Sequence, residues 1–429
     1  MTLRQDADQI YKNTLKKLQP TQIVKKEVDA RIQSLKHFNN IYPIAFGKAA
    51  IPMIDGITSL NNIYAKPIVV TNTNKKPELI DADLYVSSHP TPNQKSIIGA
   101  EAVINYIKKS NEDDLVLFLI SGGGSSILSL PPEGIDLKDK IYLTKLLLES
   151  GCDINELNIV RKHISLIKGG RLAEISRPSK VLSLIISDVI NNDISSIASG
   201  PTAPDKSTFS DASKIIQKYN LFNQLPLSIK EYLEQGKAGE LQDTPKIISD
   251  TENCIICSNE TFQKELSNTA INLGYKTFIV EENYVGEAKF EAKKLFRYMN
   301  ETISAQKDKK IAIISGGETV VKIKGDGKGG RNQEFSLSFL SEYTQIRKNI
   351  DWLLLSVGTD GIDGPTDASG GIIDSNSVNK YVSTNLDIDR YLDNNDSYSF
   401  LDKIDSLYKT GPTGTNVADV QIILLDNHQ

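Results

Sequence analysis

The segment Ile323-Lys324-Gly325-Asp326-Gly327-Lys328-Gly329-Gly330-Arg331-Asn332-Gln333-Glu334 places four glycines, two lysines and an arginine just ahead of an amphipathic stretch. Glycines let backbone N–H groups crowd around an anion, a helix starting at the loop's end adds its dipole, and a nearby cation meets negative charge. The chemistry this favours is phosphate binding. Gly327, Lys328, Gly329 and Gly330 would form the cradle, and Arg331 is a planar fork suited to a moving phosphoryl group or to a substrate carboxylate. Two further glycine turns follow apolar runs: Ser121-Gly122-Gly123-Gly124-Ser125-Ser126, and Ser315-Gly316-Gly317-Glu318. The first is either an anion nest or a tight strand-to-helix turn that needs positive φ.

Gly325, Gly327 and Gly330 also satisfy the dinucleotide fingerprint G-x-G-x-x-G. The ribose-binding acid of that pattern should end the following strand, whereas Asp351 precedes the run 352–357. No G-x-x-x-x-G-K-[ST] is present, so a P-loop is excluded. Lys48 follows Phe46-Gly47 and opens a helical stretch.

Three carboxylates stand just after apolar runs: Asp188, Glu318 and Asp360. Magnesium on a nucleotide takes one or two carboxylates and keeps water. A remaining carboxylate can accept the proton of an attacking hydroxyl. Asp188 is assigned to either role and Asp360 is the second candidate. Each acid could equally cap a helix or sit in a turn. Arg161, Lys162, His163 and Lys168 form a basic cluster, which charge runs normally turn toward water. His89 and His163 lack metal-ligand spacing and are expected in hydrogen bonds. Cys254 and Cys257 form a C-x-x-C with no second ligand pair, expected as small hydrophobes in a buried strand.

These residues need a frame. Short runs rich in Ile, Val and Leu recur at 42–46, 67–71, 84–87, 116–120, 181–186, 254–257, 277–280, 311–314, 353–357 and 420–425. Stretches with helical periodicity lie between most of them, at 96–108, 137–149, 260–273, 286–304 and 335–347. Apolar strands alternating with helices predict an α/β fold with parallel sheets covered on both faces. Ligands in such sheets sit beyond the carboxyl ends of the strands, where the residues above gather. The polar stretch 230–244 suggests two domains, 1–240 and 241–429, with the first forty residues as helices outside the first sheet.

The chain of 429 residues is 39% hydrophobic and 24% charged, the composition of a globular protein long enough for two cores. A net charge of -5 argues against a nucleic-acid surface. Lys16-Lys17, Lys25-Lys26 and Lys75-Lys76 are expected on solvated faces. No apolar run reaches the roughly 18 residues of a membrane span, and the first residues lack a signal-peptide core, so a cytoplasmic protein is expected.

In order along the chain come Ala45-Phe46-Gly47-Lys48, His89-Pro90-Thr91-Pro92, Ser121 to Ser126, Asn158-Ile159-Val160-Arg161-Lys162-His163 and Lys168-Gly169-Gly170-Arg171. Ser187-Asp188-Val189, Ser199-Gly200-Pro201-Thr202, Ser315-Gly316-Gly317-Glu318, Gly327 to Glu334, Thr359-Asp360-Gly361-Ile362-Asp363-Gly364 and Thr410-Gly411-Pro412-Thr413-Gly414 continue the series. In these motifs the sequence resembles the glycerate 2-kinase family, the MOFRL-type or class II glycerate kinases. The resemblance implies two α/β domains, the N-terminal one Rossmann-like and the C-terminal one MOFRL-type, with the active site in the cleft between them. It implies ATP- and Mg²⁺-dependent phosphorylation of D-glycerate at the 2-hydroxyl, with Lys48 and Arg331 matching residues regarded as catalytic. One departure is Asn191-Asn192-Asp193, where the family has a glycine. Two other functions remain open: an NAD(P)H-dependent hydroxypyruvate reductase, and a sugar-phosphate-binding regulatory protein. The oligomeric state is not legible.

Overall fold

The structure is a computed structural model that describes residues 2–60, 64–306, 308–346 and 350–426. The chain divides into two compact units, Pro20–Ile256, and Met1–Gln19 together with Cys257–Gln429. This division and the expected boundary after residue 240 differ in two places. Residues beyond 240 stay with the first unit, where Asp205 N–H donates to Pro245 O and the chain runs on into an edge strand of its sheet. The helix Leu3–Lys17 belongs to the other unit. Its buried face carries Ala7, Ile10 and Tyr11, and the Tyr11 ring packs 6.1 Å from Phe262 and 5.8 Å from Tyr408.

In the unit Pro20–Ile256 the strands are β1 (Ile41–Phe46), β2 (Ile68–Thr71), β3 (Asp83–Val86), β4 (Leu115–Ile120), β5 (Lys180–Ile186) and β6 (Thr251–Cys257). Their order is β3-β2-β1-β4-β5-β6, and the pairings among β1 to β5 are parallel. This is the doubly wound Rossmann order, in which the winding reverses between β1 and β4. Both strands are buried on two faces, with Ile44, Phe46, Val116, Phe118 and Ile120 in one core. A second core of Leu143, Leu147, Val160, Phe209 and Ile229 forms where helices Leu137–Glu149, Ile154–His163, Phe209–Lys218 and Leu227–Ala238 pack together.

The other unit holds β7 (Lys276–Ile279), β8 (Lys310–Gly317), β9 (Asp351–Gly358), β10 (Gly370–Asp374), β11 (Leu407–Tyr408) and β12 (Asp419–Asp426), in the order β11-β10-β9-β12-β8-β7. Among the described residues β7–β8 is the one parallel strand pair here, which corrects the expectation of parallel sheets throughout. The last strand, β12, inserts antiparallel between β8 and β9. Burial on both faces produces continuous apolar runs whatever the strand direction, so the sequence pattern could not tell the two cases apart. The helix expected over 335–347 is Arg331–Ile346, and Arg347 lies outside the described residues.

Cys254 and Cys257 both lie on β6 as free thiols, and burial pushes the Cys257 thiol up to about 12. The lysine pairs at 16–17, 25–26 and 75–76 are exposed. Among the described residues no helix is long and apolar enough to cross a membrane.

Candidate active site

At the switch point of the Rossmann unit, the segments leaving β1 and β4 are tied together. Lys48 N–H donates to Gly122 O at 2.9 Å, and Ala49 N–H to Ser121 Oγ at 3.0 Å. Gly47 and Gly123 hold φ of 118° and 78°, a region glycine enters at no steric cost. Gly123 precedes the short helix Gly124–Ile127, and no backbone carbonyl among the described residues accepts from the N–H groups of Gly123, Gly124 or Ser125. A Cβ on Gly122 would lie 2.2 Å from Asp188 Oδ2, and one on Gly123 would lie 2.8 Å from the His89 ring and 3.2 Å from Lys48 Cγ. The glycines are therefore small because Asp188, His89 and Lys48 close around the turn. Lys48, Asp188 and His89 are all half-buried. Burial, and then the Lys48 charge, lowers His89 to about 4, which keeps its imidazole neutral at pH 7.

Behind the turn, Ser125 Oγ meets Ser199 Oγ at 2.8 Å, and Ser199 Oγ donates to Asn158 Oδ1 at 3.2 Å. Asn158 lines a cleft of about 590 Å³ with Lys162, Asp193, Asp205, Lys206 and Asn253, within the size range of small-ligand sites. The basic cluster corrects the expectation of a solvated face. Lys162, His163 and Lys168 are buried, Lys162 pairs with Asp205 at 3.3 Å, and His163 reaches Ile159 O and Asp243 Oδ1, each at 2.8 Å. At the departure from the family pattern, Asn192 takes φ of 53°, the left-handed region that asparagine enters more readily than most residues.

The second unit treats its glycines differently. The chain ahead of the 325–330 loop, residues 321–324, is irregular rather than a strand end. The N–H groups of residues 324–328 are already used: Lys324 and Gly325 donate to Asn395 Oδ1, Asp326 to Asn394 Oδ1, Gly327 to Asn394 O, and Lys328 to Asp396 Oδ1. Added side chains at Gly325, Gly327 and Gly329 would strike residues 394–397, so these glycines serve close packing. Lys328 Nζ lies 4.1 Å from the centre of the Tyr398 ring. The helix Arg331–Ile346 starts at this loop, but Asp363 takes its N-terminal amides from Asn332 at 3.1 Å and Gln333 at 2.9 Å. Gly316 and Gly317 end β8 against Asn259 and the Tyr284 backbone, again a packing role.

Arg331 is a half-buried cation of this unit. Its guanidinium contacts Asp419 through Nε at 2.6 Å and Nη2 at 3.0 Å, and Glu318 through Nη1 at 3.0 Å. Asp419 opens β12 directly between Gly317 of β8 and Gly358 of β9. Asp360 is half-buried in the turn after β9, where its Oδ1 accepts from Ile362 N–H. Asp419, which grips Arg331, and Asp363, which caps its helix, were not picked out in the sequence; an acid directly ahead of the apolar run 420–425 was the available signal for Asp419.

Among the described residues no three His, Cys, Asp or Glu side chains gather as a closed metal cage. Magnesium carried on phosphates asks less, one or two carboxylate oxygens with water, and Asp188 has such oxygens in the unit Pro20–Ile256 while Glu318 and Asp360 have them in the other.

Comparison with known proteins agrees with this layout. Residues 6–234 match the family described as a domain of unknown function, DUF4147, and residues 311–419 match the MOFRL family. A protein of Thermotoga maritima named D-glycerate 2-kinase is 39% identical over 424 residues, 96% of this chain and 99% of that protein. The chain belongs to the glycerate 2-kinase family. A crystal structure of a glycerate kinase from Thermotoga maritima superposes with a TM-score of 0.89 at 38% identity, covering 99% of each chain. A family relative in Agrobacterium vitis, 37% identical over 89% of this chain and 98% of its own length, is named putative hydroxypyruvate reductase. In glycerate 2-kinase family terms, the DUF4147 region carries Lys48, the glycine turn and Asp188, and the MOFRL region carries Glu318, Arg331 and Asp360.

Proposed function

We propose that the protein transfers the γ-phosphoryl group of ATP to the 2-hydroxyl of D-glycerate, giving 2-phosphoglycerate and ADP. Kinship with a D-glycerate 2-kinase along nearly the whole chain carries this reading. Phosphoryl transfer needs positioning and charge neutralisation more than covalent chemistry, and the residues available suit that demand. The Gly122–Ser126 turn cradles nucleotide phosphates with its backbone N–H groups. Lys48 and Arg331 neutralise charge on the transferred group, and Lys328 and the Gly329–Gly330 backbone lie beside Arg331 on the same loop. Asp188 accepts the proton of the 2-hydroxyl or shares in holding Mg²⁺, with Glu318 and Asp360 as the other oxygen donors. Bound Mg²⁺ would supply further neutralisation of the phosphate oxygens. The reading places the protein in the cytoplasm, with a small acid as its partner.

A hydroxypyruvate reductase is the second reading, favoured by the Rossmann strand order and by the names of two relatives. Against it, the first turn after β1 reads Gly47-Lys48-Ala49-Ala50, without the dinucleotide glycines, and β2 ends at Thr71-Asn72-Thr73 with no acid for a ribose. A coupled assay of ADP release separates the readings. ADP should form only when D-glycerate, ATP and Mg²⁺ are all present, and NADH should persist when hydroxypyruvate is added. NADH oxidation without ADP release would replace the kinase by the reductase, and phosphate binding without turnover would favour a regulatory protein.

A further inference from the structure

Within the unit Pro20–Ile256, three cations stand close enough to repel one another behind the glycine turn, and among the described residues none of them has a carboxylate as an ion-pair partner. Lys140 sits near the N-terminal end of helix Leu137–Glu149, is 5% exposed, and its Nζ has no hydrogen-bond partner among the described residues. A cation there also opposes the helix dipole. Lys168 is 2% exposed, and among the described residues its Nζ reaches only Leu128 O at 3.3 Å and Ala198 O at 3.4 Å, long for an ammonium. Arg161, in the last turn of helix Ile154–His163, is half-buried and forms no ion pair among the described residues. The neighbouring Lys162 shows the contrast, because it has Asp205.

The three groups act on one another. Lys140 and Arg161 both repel Lys168, and Arg161 repels Lys140. Burial and this repulsion bring the Lys140 ammonium down to about 7 and hold Lys168 well below its ordinary value. The lysines can escape by releasing protons, but a guanidinium cannot. Uncompensated buried charge is costly, and an anion entering from outside would offset that cost.

The backbone holds Lys168 in this place firmly. Gly169 N–H donates to Ser199 O at 3.0 Å and Gly170 N–H to Gly200 O at 2.7 Å. Ala198, Ser199 and Gly200 follow one another at φ of 51°, 62° and 61°, a left-handed run that costs energy at the two non-glycine positions. Ser129, next to the carbonyl that Lys168 touches, has a buried hydroxyl oxygen with no partner among the described residues.

We propose that Lys140, Arg161 and Lys168 form a binding site for a compact oxyanion, a phosphate or a carboxylate group. Arg161 stands at its accessible side, and the two lysines close its interior. The Ser199 to Ser125 hydrogen bond links this site to the glycine turn, so the anion is either the acidic end of a bound substrate or a free phosphate.

The test is calorimetric titration of the whole protein, without ATP, with inorganic phosphate and separately with D-glycerate. Wild type, Lys140→Met and Arg161→Gln are compared. The expected result is saturable binding of at least one of the two anions to wild type, weakened about tenfold or more in both variants, the factor that loss of one charge-assisted contact gives. Parallel loss of D-glycerate binding would identify the substrate's carboxylate as the anion, and loss of phosphate binding alone would identify free phosphate. Unchanged affinities in the variants, or no saturable binding of either anion to wild type, would overturn the site. A raised melting temperature in Lys140→Met with anion affinity intact would mark the lysine as merely buried. If that variant does not fold, the half-exposed Arg161→Gln carries the comparison alone. Because no turnover is measured, failure of the kinase reading leaves this result standing.

Discussion

Arg331 and Asp419 form a two-point pair, with Nε–Oδ2 at 2.6 Å and Nη2–Oδ1 at 3.0 Å, and the carboxylate is fully buried at the start of β12. Asp419 thereby fixes the plane of the guanidinium while Glu318 holds Nη1. A charged hydrogen bond of this kind is worth about 1.5–3 kcal/mol. Asp419→Asn should lower kcat about 10- to 100-fold with a smaller change in KM for D-glycerate, because the residue acts through Arg331. Steady-state kinetics checks this; unchanged kcat would separate the pair from catalysis.

The same carboxyl gives a pH signature. Burial pushes Asp419 up to about 7, against the pull of Arg331. In the unfolded chain its pKa is about 3.9. Between about pH 4 and pH 7 the folded state therefore keeps a proton that the unfolded state has released, and stability falls as pH rises through that window. Below it both states are protonated and above it both are ionised, so the slope vanishes at either end. Melting temperatures of wild type relative to Asp419→Asn should drop from pH 4 to pH 7 and then level. A flat difference would contradict the burial argument.

Lys48 is half-buried, and its backbone is fixed by Gly122 O. Lys48→Ala should reduce kcat about 100- to 1000-fold, the order lost when one stabilising donor is removed from a transition state. Its circular dichroism and melting temperature should stay close to wild type. Near-normal turnover would remove Lys48 from the mechanism.

Gly122 does not need positive φ, so alanine fits its backbone and the conflict is steric alone. The new Cβ would lie 2.2 Å from Asp188 Oδ2 and 2.8 Å from its Cγ. Gly122→Ala should displace Asp188, costing about 1–3 kcal/mol of stability as overpacking does. Activity should fall further than that loss explains. Full activity in a folded Gly122→Ala variant would show that Asp188 does not need its present position.

Much of the frame was legible. The ten apolar runs each became a strand, seven of them because strands buried on both faces are apolar whatever their direction, while β3, β6 and β7 are partly exposed edge strands. That indifference also hid the antiparallel insertion of β12. Strands β10 and β11 escaped because one begins with Gly370-Gly371 and the other is only Leu407–Tyr408. Glycine-rich turns looked alike in sequence, yet Gly122 and Gly123 border Lys48, His89 and Asp188, while Gly325, Gly327 and Gly329 pack on residues 394–397. The difference lies in what a distant segment brings to each turn, which local spacing does not encode. The buried state of Lys162 and Lys168 was hidden for the same reason, since a charge run alone points to water.

The central claim is the reaction itself. Purified protein incubated with D-glycerate, ATP and Mg²⁺, followed by phosphorus NMR, should show the resonance of 2-phosphoglycerate growing as the γ-phosphate of ATP disappears. A 3-phosphoglycerate resonance, or ATP left intact, would contradict the account.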